Sequence, residues 1–157
     1  MEIERKFKLN AFPDLPEAVY LDQYQGYLAV APEVRIRHTY NHTEGKHTYI
    51  LCIKSIGNLV RHEVETAIEP EQFDELCTML DYPLIHKEMR VFVLPDGHLL
   101  ECSIVDEGAF SYAEVEFGSE EEALAWQPPE WLGTEMTYVE GFRMRTYWSN
   151  RELAKSI

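Results

Sequence analysis

Along most of its length the chain alternates apolar and polar residues with a period of two, the mark of strands that bury one face. Eight stretches read this way, at about 2–9, 24–29, 33–41, 47–55, 59–68, 89–94, 98–105 and 110–118, and they are rich in β-branched and aromatic residues. Turn-like links join several of them: Glu44-Gly45, Ile56-Gly57-Asn58, Asp96-Gly97 and Gly108. Links this short demand antiparallel neighbours, because a parallel pair needs a long crossover. A helical period replaces the alternation at 70–80, where Pro70 opens the segment and Phe73, Leu76, Cys77 and Leu80 form one stripe. Ser119, followed by Glu120, Glu121 and Glu122, predicts an N-cap and a helix to about Trp126. Shorter helices are expected near 13–20 and at 143–155. The fold class is therefore α+β, with the strands dominant. Eight mostly antiparallel strands can close into a barrel, which removes their edges and encloses an interior.

Composition narrows this picture. A chain of 157 residues, 45% of them hydrophobic, predicts one domain over 1–157 with a core of its own. No apolar run approaches the ~20 residues that a bilayer-spanning helix needs. The charged start, Met1-Glu2-Ile3-Glu4-Arg5-Lys6, leads into no apolar leader segment. Cys52, Cys77 and Cys102 are odd in number and lack CxxC spacing, which argues against a disulfide framework and against a zinc site. A cytoplasmic protein with no membrane partner is expected. The net charge of −14, from 28 acidic and 14 basic residues, argues against nucleic-acid binding, which needs a basic surface. Surplus carboxylates suit simple solubility and divalent-cation sites alike.

The placement of the charges changes the picture further. Glu2, Glu4, Lys6 and Lys8 share one face of the first strand, and Ile3, Arg5, Phe7 and Leu9 share the other. On a single strand this would mean a solvent side and a core side. The pattern recurs, however: Arg35 and Arg37 alternate with Val34 and Ile36, Val64 separates Glu63 from Glu65, and Val115 separates Glu114 from Glu116. Two arrays emerge. One is acidic, made of the pairs Glu2/Glu4, Glu63/Glu65 and Glu114/Glu116. The other is basic, made of Lys6, Arg35, Arg37, Lys54, Arg61 and Arg90. Pointing outward, these are ordinary solvated charges. Pointing inward, they would hold a polyanion between Arg and Lys donors and a carboxylate-bound cation, for which Mg2+ or Mn2+ is suited. Periodicity alone leaves both arrangements open.

Taken in order, the same residues resemble a known family. Glu2-Ile3-Glu4-Arg5-Lys6 matches the ExExK signature of the CYTH superfamily, the triphosphate tunnel metalloenzymes. It is followed by Gln25-Gly26-Tyr27-Leu28, Val34-Arg35-Ile36-Arg37, Tyr49 to Ser55, Arg61-His62-Glu63-Val64-Glu65, Arg90 and Ala113-Glu114-Val115-Glu116. Trp131-Leu132-Gly133-Thr134-Glu135-Met136-Thr137 is similar to the family's WxGxEVT segment. The resemblance spans nearly the whole chain. It implies an eight-stranded antiparallel tunnel, open at both ends, that binds a small-molecule triphosphate and cuts a phosphoanhydride bond. Glu2, Glu4, Glu65, Glu114 and Glu116 would then hold Mg2+ or Mn2+. Lys6, Arg35, Arg37, Lys54, Arg61 and Arg90 would bind phosphate, and Lys54, Lys87 and Glu63 would act in catalysis. Tripolyphosphate is the leading substrate. A class IV adenylate cyclase, a thiamine triphosphatase and a non-catalytic polyphosphate- or nucleotide-binding module are the alternatives, and a homodimer is left open.

Some residues depart from the family pattern. The family usually carries KxR on the sixth strand, whereas Lys87 and Arg90 stand three apart and fall on opposite faces unless a bulge intervenes. Ser103 stands where the family often has an acid, and Glu101, on the same face, is the expected substitute. The ending Gly141 to Trp148 is atypical and leaves open whether Arg143 or Arg145 reaches the tunnel. The six histidines show no metal-ligand spacing and read as surface residues. Trp126, Trp131 and Trp148 read as packing residues, and Met79, Leu80 and Leu84 as core.

Overall fold

The computed structural model describes the backbone of residues 1–155 and the side chains as far as Arg151. Its strands are β1 (Glu2–Lys8), β2 (Glu17–Val30), β3 (Glu33–Asn41), β4 (Lys46–Lys54), β5 (Val60–Arg61), β6 (Glu63–Ala67), β7 (Ile85–Val93), β8 (Leu99–Val105) and β9 (Phe110–Glu116). Among the described residues, three α-helices accompany them: α1 (Pro70–Cys77), α2 (Glu120–Ala125) and α3 (Met144–Lys155). The strands form one antiparallel sheet in the order β5-β1-β9-β8-β7-β2-β3-β4-β6. The first and last members of that order are separated in the chain by His62 alone. β6 pairs with β4, with Lys54 opposite Glu63, and β5 pairs with β1, with Glu2 opposite Arg61. Counted as one broken strand, β5 and β6 make a nearly closed eight-stranded barrel. At the break, His62 trades its ladder for Ser55, donating to Ser55 Oγ at 2.9 Å and accepting from Ser55 N at 3.0 Å.

The strand positions follow the alternation, with two differences. No helix forms over 13–20, because β2 begins at Glu17 and pairs with β7 from Glu17/Phe92 to Gln25/Ile85. β7 likewise begins at Ile85, four residues before the expected start. Each extension is held by the other, and such tertiary pairing overrides local propensity. The turns agree with expectation, with Gly45 (φ 68°) and Gly97 (φ 90°) in the left-handed region that glycine tolerates. Ser119 caps α2 by accepting from Glu122 N at 3.1 Å, as expected.

The apolar core lies outside the barrel wall. Phe7, Val115, Cys102, Phe92 and Leu100 face outward and pack with Ala123 and Trp126 of the α2 region. A second cluster joins Tyr27, Ile85, Val105 and Tyr112 to Met144 and Trp148 of α3. This cluster lies across one end of the barrel, in contrast to the open-ended tunnel that the resemblance implies. Trp131 and Met79, expected to pack, are 53% and 62% exposed.

The Trp131–Thr137 segment straps the free edge of β1. Lys8 N donates to Thr134 O at 2.9 Å, Met136 N to Lys6 O at 2.7 Å, and Lys6 N to Thr137 Oγ1 at 3.0 Å. Gly133 passes so close that a Cβ there would meet the Lys8 carbonyl oxygen at 2.3 Å, so no larger residue fits. This strap fixes the strand that carries Glu2, Glu4 and Lys6.

Candidate active site

Both charged arrays, Arg90 excepted, point inward. A cavity of about 270 Å³ runs within the barrel, and its wall carries eight carboxylates: Glu2, Glu4, Glu33, Glu63, Glu65, Glu101, Glu114 and Glu116. Seven cationic side chains share that wall: Lys6, Arg35, Arg37, Lys54, Arg61, Lys87 and Arg143. Period-two alternation puts most of them there: Glu2, Glu4 and Lys6; Glu33, Arg35 and Arg37; Arg61, Glu63 and Glu65; and Glu114 and Glu116 are each spaced by two along a strand or its continuation. Of the expected site residues, Glu2, Glu4, Lys6, Arg35, Arg37, Lys54, Arg61, Glu63, Glu65, Lys87, Glu114 and Glu116 come together. Arg90 does not. The β2–β7 register runs without interruption from Ile85 to Val91, so Lys87 and Arg90 face opposite ways. Arg90 lies on the outer wall, bonded to Glu17 and Glu88 at 2.9 Å each, with its guanidinium 4.0 Å from the Tyr20 ring centre. Met89 takes the next inward place after Lys87.

The cations fall into two groups. Lys54 pairs with Glu2 at 2.8 Å and Glu63 at 3.2 Å, and Lys6 lies 3.6 Å from Glu114. Arg61 reaches Glu2, Glu4 and Glu33 at 3.0, 3.4 and 3.1 Å. Among the described residues, no carboxylate lies within ion-pair distance of Arg35, Arg37 or Lys87. Arg37 Nε donates to Gln25 Oε1 at 3.0 Å, Lys87 Nζ donates to Tyr112 Oη at 3.2 Å, and Arg35 Nε has no partner. Burial, then repulsion from Arg35, brings Arg37 down to about 10. Burial, Arg37 and Arg35 together hold Lys87 well below the usual ammonium range. This end of the tunnel has cationic charge that the protein leaves uncompensated.

The acidic side shows the complementary strain. Burial and the hydrogen-bonded Glu114 carboxylate push Glu4 well above the ordinary range. Burial works against ionisation at Glu114 too, but Lys6, Glu4 and Lys87 hold it far below. Burial, Glu114 and Glu116 push Glu101 up to about 8. Carboxylates crowded in this way are relieved by a cation. Ligand oxygens of Glu2, Glu4 and Glu116 all lie within 4.8 Å of one another, and these all-oxygen donors fit a hard divalent cation. Glu63 and Glu65 form a second such group with Cys52.

Several lining residues escaped sequence reasoning. Glu33 stands two before Arg35, Tyr112 two before Glu114, and Gln23 and Tyr27 flank Gln25, so each was in phase with a residue already noted. Glu101 faces inward as the expected substitute beside Ser103, while Arg143 enters from outside the strands and has no such signal. The histidines stay on the outer face: His42 and His86 share Asp22 at 2.6 and 2.7 Å, and His38 meets His47 at 2.8 Å.

No family model matches the chain. An inorganic triphosphatase from Nitrosomonas europaea is 36% identical over 160 aligned positions, covering 99% of this chain and 98% of that protein. The solved structure of the inorganic triphosphatase NE1496 superposes with a TM-score of 0.65 at 32% identity, covering 92% of this chain and 94% of that one. The PH1819 protein from Pyrococcus horikoshii OT3 shares the fold, with a TM-score of 0.63 at 14% identity, covering 98% and 99% of the two chains. A barrel with its core outside and paired glutamates facing guanidiniums inside is thus matched along almost the full length of a curated relative, and the chain belongs to the CYTH superfamily of triphosphate tunnel metalloenzymes, in kinship with its inorganic triphosphatases.

Proposed function

We propose that this protein is a metal-dependent triphosphatase that hydrolyses a phosphoanhydride bond of inorganic tripolyphosphate within the barrel. The observation that carries this reading is the inward set of buried Arg35 and Lys87 and half-buried Arg37, without carboxylate partners among the described residues and facing a wall of crowded glutamates. A polyphosphate supplies the missing negative charge over several strands, gripped by guanidinium forks and ammonium point charges.

Glu2, Glu4 and Glu116, with Glu114 beside them, would hold Mg2+ or Mn2+, which neutralises phosphate charge and polarises water. The protein's own groups do the rest. Arg35 and Arg37 fix the polyphosphate from β3 and absorb charge that develops as the bond breaks. Lys54, now paired with Glu2 and Glu63, and Lys6, now beside Glu114, exchange these partners for phosphate oxygens when substrate enters. Lys87, whose charged form is disfavoured by burial and its guanidinium neighbours, is the group placed to take a proton at Nζ from the attacking water. Glu63, at the tunnel wall, orients that water, and Glu65 would be a further ligand to the metal. Holding the reactants in one buried channel lowers the entropic part of the barrier.

A cyclase needs a nucleoside pocket in addition to the triphosphate grip. The cavity of about 270 Å³ is lined mostly by charged side chains, which suits a small anion better than a purine. The alternative of a binding module without catalysis draws on the spacing of Lys87 and on Ser103; Lys87 lies inside, 2% exposed, and Glu101 lines the cavity two residues before Ser103. Phosphate release measured on tripolyphosphate, ATP and thiamine triphosphate with Mg2+ or Mn2+ tests the proposal. Higher kcat/KM on tripolyphosphate, without cyclic AMP from ATP, is the expected result.

A further inference from the structure

Among the described residues, Arg143 and Met144 are the cavity-lining residues contributed from outside the strands. Arg143 is 5% exposed, and its Nη2 donates to Asn58 Oδ1 at 2.6 Å. Its Nε is buried with no partner, and no carboxylate of the described residues lies within ion-pair distance. The charges that bear on it most, after burial itself, are the like charges of Arg61 and Arg145. Withdrawing a guanidinium from water, beside other cations and with one neutral hydrogen bond, is costly unless an anion completes the site. Arg145, two residues on, also has a buried donor without a partner, Nη1, but it pairs with Glu140 at 3.0 Å and does not line the cavity. α3 begins at the residue after Arg143, so the positive end of its dipole lies at the same wall. Met144 and Trp148 meanwhile anchor α3 to Tyr27, Ile85 and Tyr112.

We infer that Arg143 is a phosphate-binding residue of the tunnel, and that its contact with the polyphosphate couples substrate occupancy to the seating of α3 across that end of the barrel. The inference rests on the tripolyphosphate reading above. Its fork would take a phosphoryl group through the unpaired Nε and the remaining Nη donors, while Asn58 keeps the guanidinium plane in place.

Kinetics and hydrogen exchange test it together. Arg143→Gln should raise the KM for tripolyphosphate about tenfold or more, with Arg143→Lys intermediate and Arg145→Gln unchanged. In the wild-type protein, a short labelling pulse at saturating tripolyphosphate and Mg2+ should show slower exchange of the amides of residues 147–151 than without substrate. That protection should vanish in Arg143→Gln. An unmoved KM in Arg143→Gln overturns the inference. So does unchanged α3 exchange in the wild type, a measurement that does not depend on the variant folding. Absence of any wild-type phosphate release from tripolyphosphate would instead refute the triphosphatase reading itself, whereas wild-type turnover with an unmoved Arg143→Gln refutes only this inference.

Discussion

Arg5 and Arg35 carry the same guanidinium on strands of the same barrel, yet one builds the wall and the other waits for a ligand. Arg5 faces outward from β1. It grips both oxygens of Glu135 at 2.8 and 2.6 Å and donates to the Ala123 and Trp126 carbonyls at 2.9 and 2.7 Å. The Phe7 and Trp126 rings lie 5.6 Å from it. Arg35 faces inward from β3, 8% exposed, with an Nε unpartnered and no carboxylate within ion-pair distance among the described residues. Burial is similar, so burial does not distinguish structure from function. What differs is whether the protein completes the donor set. The contrast extends to the whole barrel: the outer face carries apolar packing and paired charges, whereas the inner face is charged and crowded in both signs.

The largest test of that contrast removes one carboxylate from the inner face. Glu4→Gln should lower metal-dependent turnover by about 10³-fold while leaving Tm unchanged or raised, because it removes repulsion with Glu114 and Glu2. Steady-state kinetics beside a thermal melt decide this, and a variant with full activity would remove Glu4 from the site. The two arginines should then separate cleanly. Arg5→Ala should cost roughly 3–5 kcal/mol of stability, the scale for breaking a buried pair. Arg35→Ala should leave the melt nearly unmoved and weaken tripolyphosphate binding by roughly 2–4 kcal/mol. Urea unfolding and calorimetric titration of both variants would show it, and a reversal of the two effects would undo the comparison. Arg90→Ala should change kcat/KM by no more than about twofold and stability by ~1 kcal/mol or less, as befits a surface pair.

The smallest effect is a slope with pH. Glu101 sits at about 8 in the folded protein against an ordinary 4.5, so the folded state holds that proton more tightly. The resulting stabilisation is full below pH 4.5 and is lost as pH rises to about 8. Metal-free wild-type protein should therefore melt at progressively lower temperature over that range, and Glu101→Gln should flatten the decline. An equally steep decline in the variant would place the titrating group elsewhere.

Much of this was legible in the sequence because charge and strand period coincide. The pairs Glu2/Glu4, Arg35/Arg37, Glu63/Glu65 and Glu114/Glu116 each share a strand face, so finding one inside places the other inside too. Which face was inside was not legible, since an alternating strand reads the same from either side; the resemblance to a family resolved it. Arg90 was misplaced because the three-residue spacing from Lys87 admits either one as the inward residue, and only the uninterrupted pairing with β2 decides. The stretch from 13 to 20 was misread because its strand character depends on β7, more than sixty residues away. Arg143 was out of reach for a related reason: no periodicity links a residue just before the C-terminal helix to a cavity built by strands.

The most direct test of the central reading is phosphate release from tripolyphosphate by the wild-type protein, with Mg2+ or Mn2+ and again with excess EDTA. Rapid release that requires the metal, exceeding release from ATP, is the expected result. No release above the protein-free blank with either metal, or conversion of ATP chiefly to cyclic AMP, would contradict it.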